Sequence, residues 1–256
     1  MIMAILNRKY WASIMIAFHQ QLAQRGQLVG RILLYLIIVY LFHQVFQSVG
    51  APMERLWYLA VTEWLILSTP PLGFRIAQDI DNGQIVYFML RPAHYLNLRF
   101  FESCGEFSVR FFFLGICCLG LGWVLTSTIP GDIISWCLGI LISILAVWLN
   151  IMIAILIGVC AFWIRDIKTL IFLNLTATFC FGGLIVPLDF YSPIMRALCF
   201  CTPYPWVLWG PAETITRGSL NPAWAFLGWA VWMVILTAAI QWLYRKGINS
   251  FVAEGG

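Results

Sequence analysis

The histidines His19, His43 and His94 lie far apart along the chain, and no HExxH or similar cluster gathers His, Asp, Glu, Ser or Cys at one point. Hydrolytic chemistry therefore has no convergent set of groups to work with. The eight cysteines show no CxxC pair. Cys104, Cys117, Cys118, Cys137, Cys160 and Cys180 sit in or beside apolar runs, where Cys behaves as a small apolar residue. Cys199 and Cys201, two residues apart, are poorly placed to bond each other, so neither a metal site nor a disulfide framework is read. Glu63 stands almost alone inside an apolar run. An ionised carboxylate there is expensive and marks a candidate substrate path or proton site. A different grouping, Arg75, Asp79, Asp81 and Arg91, falls in the segment "RIAQDIDNGQIVYFMLRPAHY", residues 75 to 95, between two apolar stretches. It suits recognition rather than catalysis.

These groups must be held by an unusually apolar scaffold. Only 10% of the 256 residues are charged and 62% are hydrophobic, with a mean hydropathy of +0.88. A soluble domain carries about 25% charged residues, so the composition predicts a polytopic all-α membrane protein with one transmembrane domain over residues 1–256. A bilayer core of roughly 30 Å needs about 20 apolar residues per helical span. Six runs meet that length, near Leu28 to Val49, Leu56 to Phe74, Phe111 to Ile129, Ile133 to Ile164, Thr169 to Leu188 and Pro222 to Tyr244. Ile5 to Leu22 reads as a helix in the membrane interface, with Trp11, Ile14, Met15 and Phe18 on its apolar side. It lacks the cleavage-site pattern of a signal peptide.

Basic residues are retained on the cytoplasmic side of short loops. With the N-terminus inside, the cytoplasmic segments collect Arg8, Lys9, Arg25, Arg31, Arg75, Arg91, Arg99, Arg110, Arg165, Lys168, Arg245 and Lys246, which is 12 of the 15 Lys and Arg. Arg55, Arg196 and Arg217 remain outside. The asymmetry selects six spans with both termini cytoplasmic in a multi-pass membrane protein. The net charge of +4 thus reports orientation. With no basic-aromatic patch, nucleic acid is not an expected partner.

Within that topology, the segment from Arg75 to Tyr95 joins spans two and three on the cytoplasmic face. Ile76, Ile80 and Ile85 with Val86, Phe88 and Met89 are spaced for short helices, Gly83 supplies a stop, and Pro92 ends the second run. Two surface-lying elements are expected, with Asp79 and Asp81 on the wet face for docking to a soluble partner. On the outer side, "GGLIVPLDFYSPIMRALCFCTPYPWVLWGPAETITRG", residues 182 to 218, is too apolar for a solvated loop yet broken by five prolines, Pro187 and Pro193 among them. Irregular backbone at membrane depth must be buried in protein or line a cavity, which predicts a re-entrant pair of short helices before span six. Asn150, inside the fourth run, is expected to hydrogen-bond between helices.

The segments "DIDNGQIVYFMLRPAHY", "AFWIRDIKTL", "GGLIVPLDFYSP" and "YRKGINSFVAEGG" together make the chain resemble the membrane subunits of type-2 ABC exporters, particularly their branch of small bacterial transport permeases. The resemblance covers nearly the whole length. It implies a cytoplasmic coupling helix near Ile76 to Gly83 that seats in a cleft of an ATPase subunit, with Ile76, Asp79, Ile80, Asp81, Asn82, Gly83, Arg91 and Pro92 as coupling residues. It also implies an outer re-entrant gate that includes Gly182, Gly183, Pro187 and Pro193, and export as the direction. No G-x-x-x-x-G-K-[ST] phosphate loop occurs, so no cofactor is expected on this chain, and ATP hydrolysis is expected on a separate ABC ATPase, two copies serving two permeases, identical or related. The apolar, aromatic walls fit an amphipathic or lipid-like substrate in the bacterial inner membrane. The alternative is an ion-coupled secondary carrier centred on Glu63, and the chain is read as a transporter subunit and not an enzyme.

Overall fold

The computed structural model describes residues 2–89, 94–164, 166–218 and 220–253, apart from the side chains of 2–7, 89 and 250–253. Among these residues every regular element is helical. In chain order they are α1 (Ile2–Ala23), α2 (Arg25–Val49), α3 (Glu54–Ser68), α4 (Leu72–Asp81), α5 (Ile85–Met89), α6 (Tyr95–Thr126), α7 (Ile133–Val159), α8 (Lys168–Gly182), α9 (Pro193–Phe200), α10 (Tyr204–Val207), α11 (Trp209–Thr216) and α12 (Pro222–Ala253).

Four helices are long and apolar enough to cross a membrane: α2, α6, α7 with the 3₁₀ turn that extends it to Phe162, and α12 from Pro222 to Asn249. The expected second and fifth spans are shorter than the runs that predicted them. α3 has 15 residues, about 22 Å of helix, because Pro70 and Pro71 lack the N–H donors that would continue it. The last residues of that apolar run, Leu72 to Phe74, belong instead to α4. α8 stops at Gly182, six residues before the predicted end, where Gly183 turns the chain with φ of 68°. α6 in turn begins 16 residues earlier than the third apolar run, since Arg99, Glu102, Glu106 and Arg110 interrupt its first four turns and hydropathy alone passes over them.

α3 is the axial element. Every side chain from Leu56 to Leu65 is buried, wrapped by α2, α6 and α11. Its fit to α6 has a clear register. Trp57 and Trp64, seven residues apart, lie against Gly122 and Gly115, also seven apart on an antiparallel helix. A Cβ on Gly122 would stand 2.5 Å from the Trp57 ring, and one on Gly115 would stand 2.8 Å from the Trp64 ring. Small residues of this kind let membrane helices approach closely. The indole N–H groups are satisfied at the same contacts: Trp64 donates to the Phe111 carbonyl at 2.8 Å, and Trp57 to Thr126 Oγ1 at 3.0 Å. The outward faces of α2 and α12 carry exposed Leu33, Ile37, Leu41, Leu227, Val231 and Val234. An apolar surface of that extent belongs against lipid or another membrane protein.

Candidate functional site

The charged segment folds as two helices, as its periodicity predicts. α4 closes at Asn82, and Gly83 makes the turn into α5 with φ of 65°, a conformation that costs Gly least. α4 has distinct faces. Leu72, Ile76, Ala77 and Ile80 are buried. Gly73 and Ile76 press on the far end of α7, so closely that a Cβ on Gly158 would stand 2.7 Å from Ile76 Cβ and 3.0 Å from the Gly73 carbonyl oxygen. α5 is anchored through buried Ile85, and the Phe88 ring lies 5.2 Å from that of Tyr95.

Asp79 does not face water. It is 5% exposed, because its carboxylate accepts hydrogen bonds from the Tyr95 hydroxyl and from Arg99 Nε at 2.9 Å. The expectation that Asp79 is presented to a partner is therefore corrected: four residues after Arg75, it lies on the α4 face turned to α6. A buried carboxylate is tolerated only with such charge-assisted partners. Asp81 and Asn82 are exposed, together with Phe74, Gln78, Gln84, Val86 and Tyr87, the last at 71%. Arg91 and Pro92 lie outside the described residues.

The partners of α4 come from a stripe of α6 that sequence reading missed. Tyr95, Arg99, Glu102, Glu106 and Arg110 recur at steps of three and four, one face of a helix, and that spacing is the signal that would have found it. Arg99 bridges Asp79 and Glu102 and lies 5.1 Å above the Phe88 ring. Arg75 forms a two-pronged ion pair with Glu106, its Nη2 reaching Oε2 at 2.8 Å. Arg110, only 1% exposed, reaches the same carboxylate at 3.3 Å and donates to Gln21 Oε1 on α1 at 2.7 Å and to the Thr69 carbonyl at 3.3 Å. Gly105 lies against the Ile14 carbonyl, which brings α1 onto α6 beside this network. The α1 face so buried runs through Ile14, Ala17 and Gln21, leaving Trp11 and Met15 exposed. Asn150 donates to Thr69 Oγ1 at 3.1 Å, joining α7 to the break between α3 and α4 as an interhelical bond.

The opposite end of α3 carries a second cluster. Tyr58 donates to the Gly183 carbonyl at 2.6 Å and Thr62 to that of Leu184 at 2.9 Å, so the turn after α8 is pinned to α3. Pro187 precedes a 3₁₀ turn, Leu188–Phe190, and Pro193 opens α9 after Ser192, whose hydroxyl accepts from the Met195 amide. Three short helices come after α8 where two were predicted, and α11 is buried along its whole length against α3 and α7. Asp189 binds Arg196 at 2.9 Å and Arg217 at 3.0 Å, and Arg55 lies 4.7 Å over Phe190. The three basic residues assigned to one side by charge thus meet here. Glu63 is 7% exposed within α3, and no hydrogen bond or ion pair reaches its carboxyl among the described residues. No three His, Cys, Asp or Glu side chains converge as a metal set among the described residues.

Four long apolar helices, with exposed apolar faces on α2 and α12, define a multi-pass helical membrane protein. A family model described as ABC-2 family transporter protein matches residues 28–255, and the chain belongs to that family. It is thereby a multi-pass membrane permease subunit of a type-2 ABC exporter. No curated protein matches it.

Proposed function

We propose that the chain moves an amphipathic or lipid-like substrate outward across the bacterial inner membrane, driven by a separate ABC ATPase that docks on α4 and α5. The observation that carries this reading is the seating of α4. One face is fixed to α7 by contacts at Gly73 and Gly158 and to α6 by partly buried ion pairs at Arg75 and Asp79, while Gln78, Asp81, Asn82 and Tyr87 stay bare. A push on the bare face is then carried into two membrane helices as one body, a two-state element that nucleotide biases. Two permeases, identical or related, on two ATPases complete the path, with six spans and both termini cytoplasmic in each.

The test is a photo-crosslinking residue placed at Asp81 or at Tyr87, with Ile194 in α9 as control. A crosslinked partner identified by mass spectrometry as carrying a G-x-x-x-x-G-K-[ST] motif, captured from native membranes at the first two positions and not at Ile194, is the expected result. Capture at Ile194 instead, or at no position, would overturn the docking assignment.

A further inference from the structure

Between α1, α2, α4 and α6 lies a cavity of about 810 Å³. Its wall is polar and electrically unbalanced. Arg31, Arg75 and Arg110 line it against a single carboxylate, Glu106, a net charge of +2 if all four are ionised. Glu106 is shared by Arg75 and Arg110. Arg31 has no carboxylate among the described residues and reaches only the Leu67 carbonyl, at 2.8 Å. Gln21, 2% exposed, spends its carbonyl oxygen on Arg110, and its side-chain amide Nε2 has no partner among the described residues. A buried donor left unsatisfied is costly, and Gln20, Gln24, Gln27 and Gln78 add further amides to the same wall. Excess guanidinium, together with unspent amide N–H, is the donor set that a phosphate group accepts from, and Arg matches its oxygens in two-pronged geometry. The rim is different in kind, since Leu34 and Phe74 line the cavity and are exposed.

We propose that this cavity binds a phosphate-bearing anion, with the phosphate among Arg31, Gln21 and Arg110 and any acyl portion of the ligand along Leu34 and Phe74. Basic pockets between membrane helices take lipid headgroups in this manner, and the apolar rim favours a phospholipid over free phosphate as the source. The proposal concerns binding and holds whether or not the bound molecule is the one transported, so failure of the transport reading leaves it standing.

The full chain, purified with whatever partners it carries, is reconstituted into phosphatidylcholine bilayers with or without phosphatidylglycerol, and retained lipid is read by native mass spectrometry. Thermal melting in inorganic phosphate, against chloride at equal ionic strength, forms the second arm. The wild type retains phosphatidylglycerol over phosphatidylcholine. Arg31→Gln weakens that retention roughly tenfold, the scale of one charge-assisted contact. Gln27→Glu, an exposed change that adds negative charge to the wall, weakens it also, while Lys168→Gln, an exposed change outside the cavity wall, does not. If lipid retention shows no preference but inorganic phosphate raises the melting temperature of the wild type and not of Arg31→Gln, the site stands with free phosphate as its source. If neither probe distinguishes wild type from Arg31→Gln and Gln27→Glu, the proposal is overturned.

Discussion

At the scale of single residues, Asp79 and Asp81 show how two carboxylates two positions apart acquire opposite roles. Asp79 holds Tyr95 and Arg99 in a mostly buried cluster, whereas Asp81 is exposed. Removing one member of a buried ion pair leaves its partner uncompensated, although Arg99 keeps Glu102. Asp79→Ala is therefore expected to cost about 2–3 kcal/mol, and Asp81→Ala to stay within about 0.5 kcal/mol, measured as thermal or denaturant unfolding in detergent. In the presence of the ATPase the order reverses in kind: Asp81→Lys lowers ATPase stimulation with the melting temperature unchanged, whereas Asp79→Ala lowers both. Equal stability losses at both positions would contradict the two-faced description of α4. The turn at Gly83 was legible in the sequence because only a glycine-tolerant conformation stops a helix so abruptly. The inward turn of Asp79 was not. It depends on Arg99, twenty positions away on another helix, and local periodicity carries no information about such a partner.

At the scale of elements, the contact between α3 and α6 is written as two matched heptad-like steps, Trp57 and Trp64 on one helix, Gly122 and Gly115 on the other. Neither pair announces itself alone, since tryptophans are common near membrane interfaces and glycines are common in membrane helices. Only the antiparallel pairing gives them meaning. The same limit explains why α3 and α8 came out shorter than their apolar runs: hydropathy counts residues, but Pro70 and Pro71 end the first helix and Gly183 ends the second, however apolar the next residues are. The glycine notches make a direct prediction. Gly122→Ala drives a methyl group into the Trp57 ring, whose atoms are fixed in the core, and such overpacking costs about 1–3 kcal/mol. Trp57→Leu alone also destabilises, through lost burial and the lost hydrogen bond to Thr126. Combined, the two changes should cost less than the sum of the single variants, read as a double-mutant cycle of unfolding midpoints. Simple additivity would mean that ring and glycine do not meet as described.

At the scale of the whole molecule, the two charged clusters are separated by the length of α3. Arg31 and Arg110 bind the carbonyls of Leu67 and Thr69 at one end, and Arg55 with Asp189, Arg196 and Arg217 gathers at the other. The charge bias of the sequence had assigned these same residues to opposite membrane faces, and their separation reflects the cost of holding a guanidinium in the hydrocarbon between them. α3 then connects both ends through side-chain hydrogen bonds, Tyr58 and Thr62 holding the Gly183 and Leu184 carbonyls on one side and Asn150 holding the Thr69 hydroxyl beyond its end. A displacement of α4 against α6 and α7 has a continuous packed route to α8 and the short helices α9 to α11. The orientation of that route is open to a direct check. Cys201, exposed between α9 and α10, should react with a membrane-impermeant maleimide in right-side-out vesicles, and a cysteine introduced as Asp81→Cys should react only after permeabilisation. The opposite pattern would invert the topology and place the bare face of α4 beyond the reach of a cytoplasmic ATPase. Reaction of both from one side would mean that the two ends of α3 do not lie across the bilayer from each other.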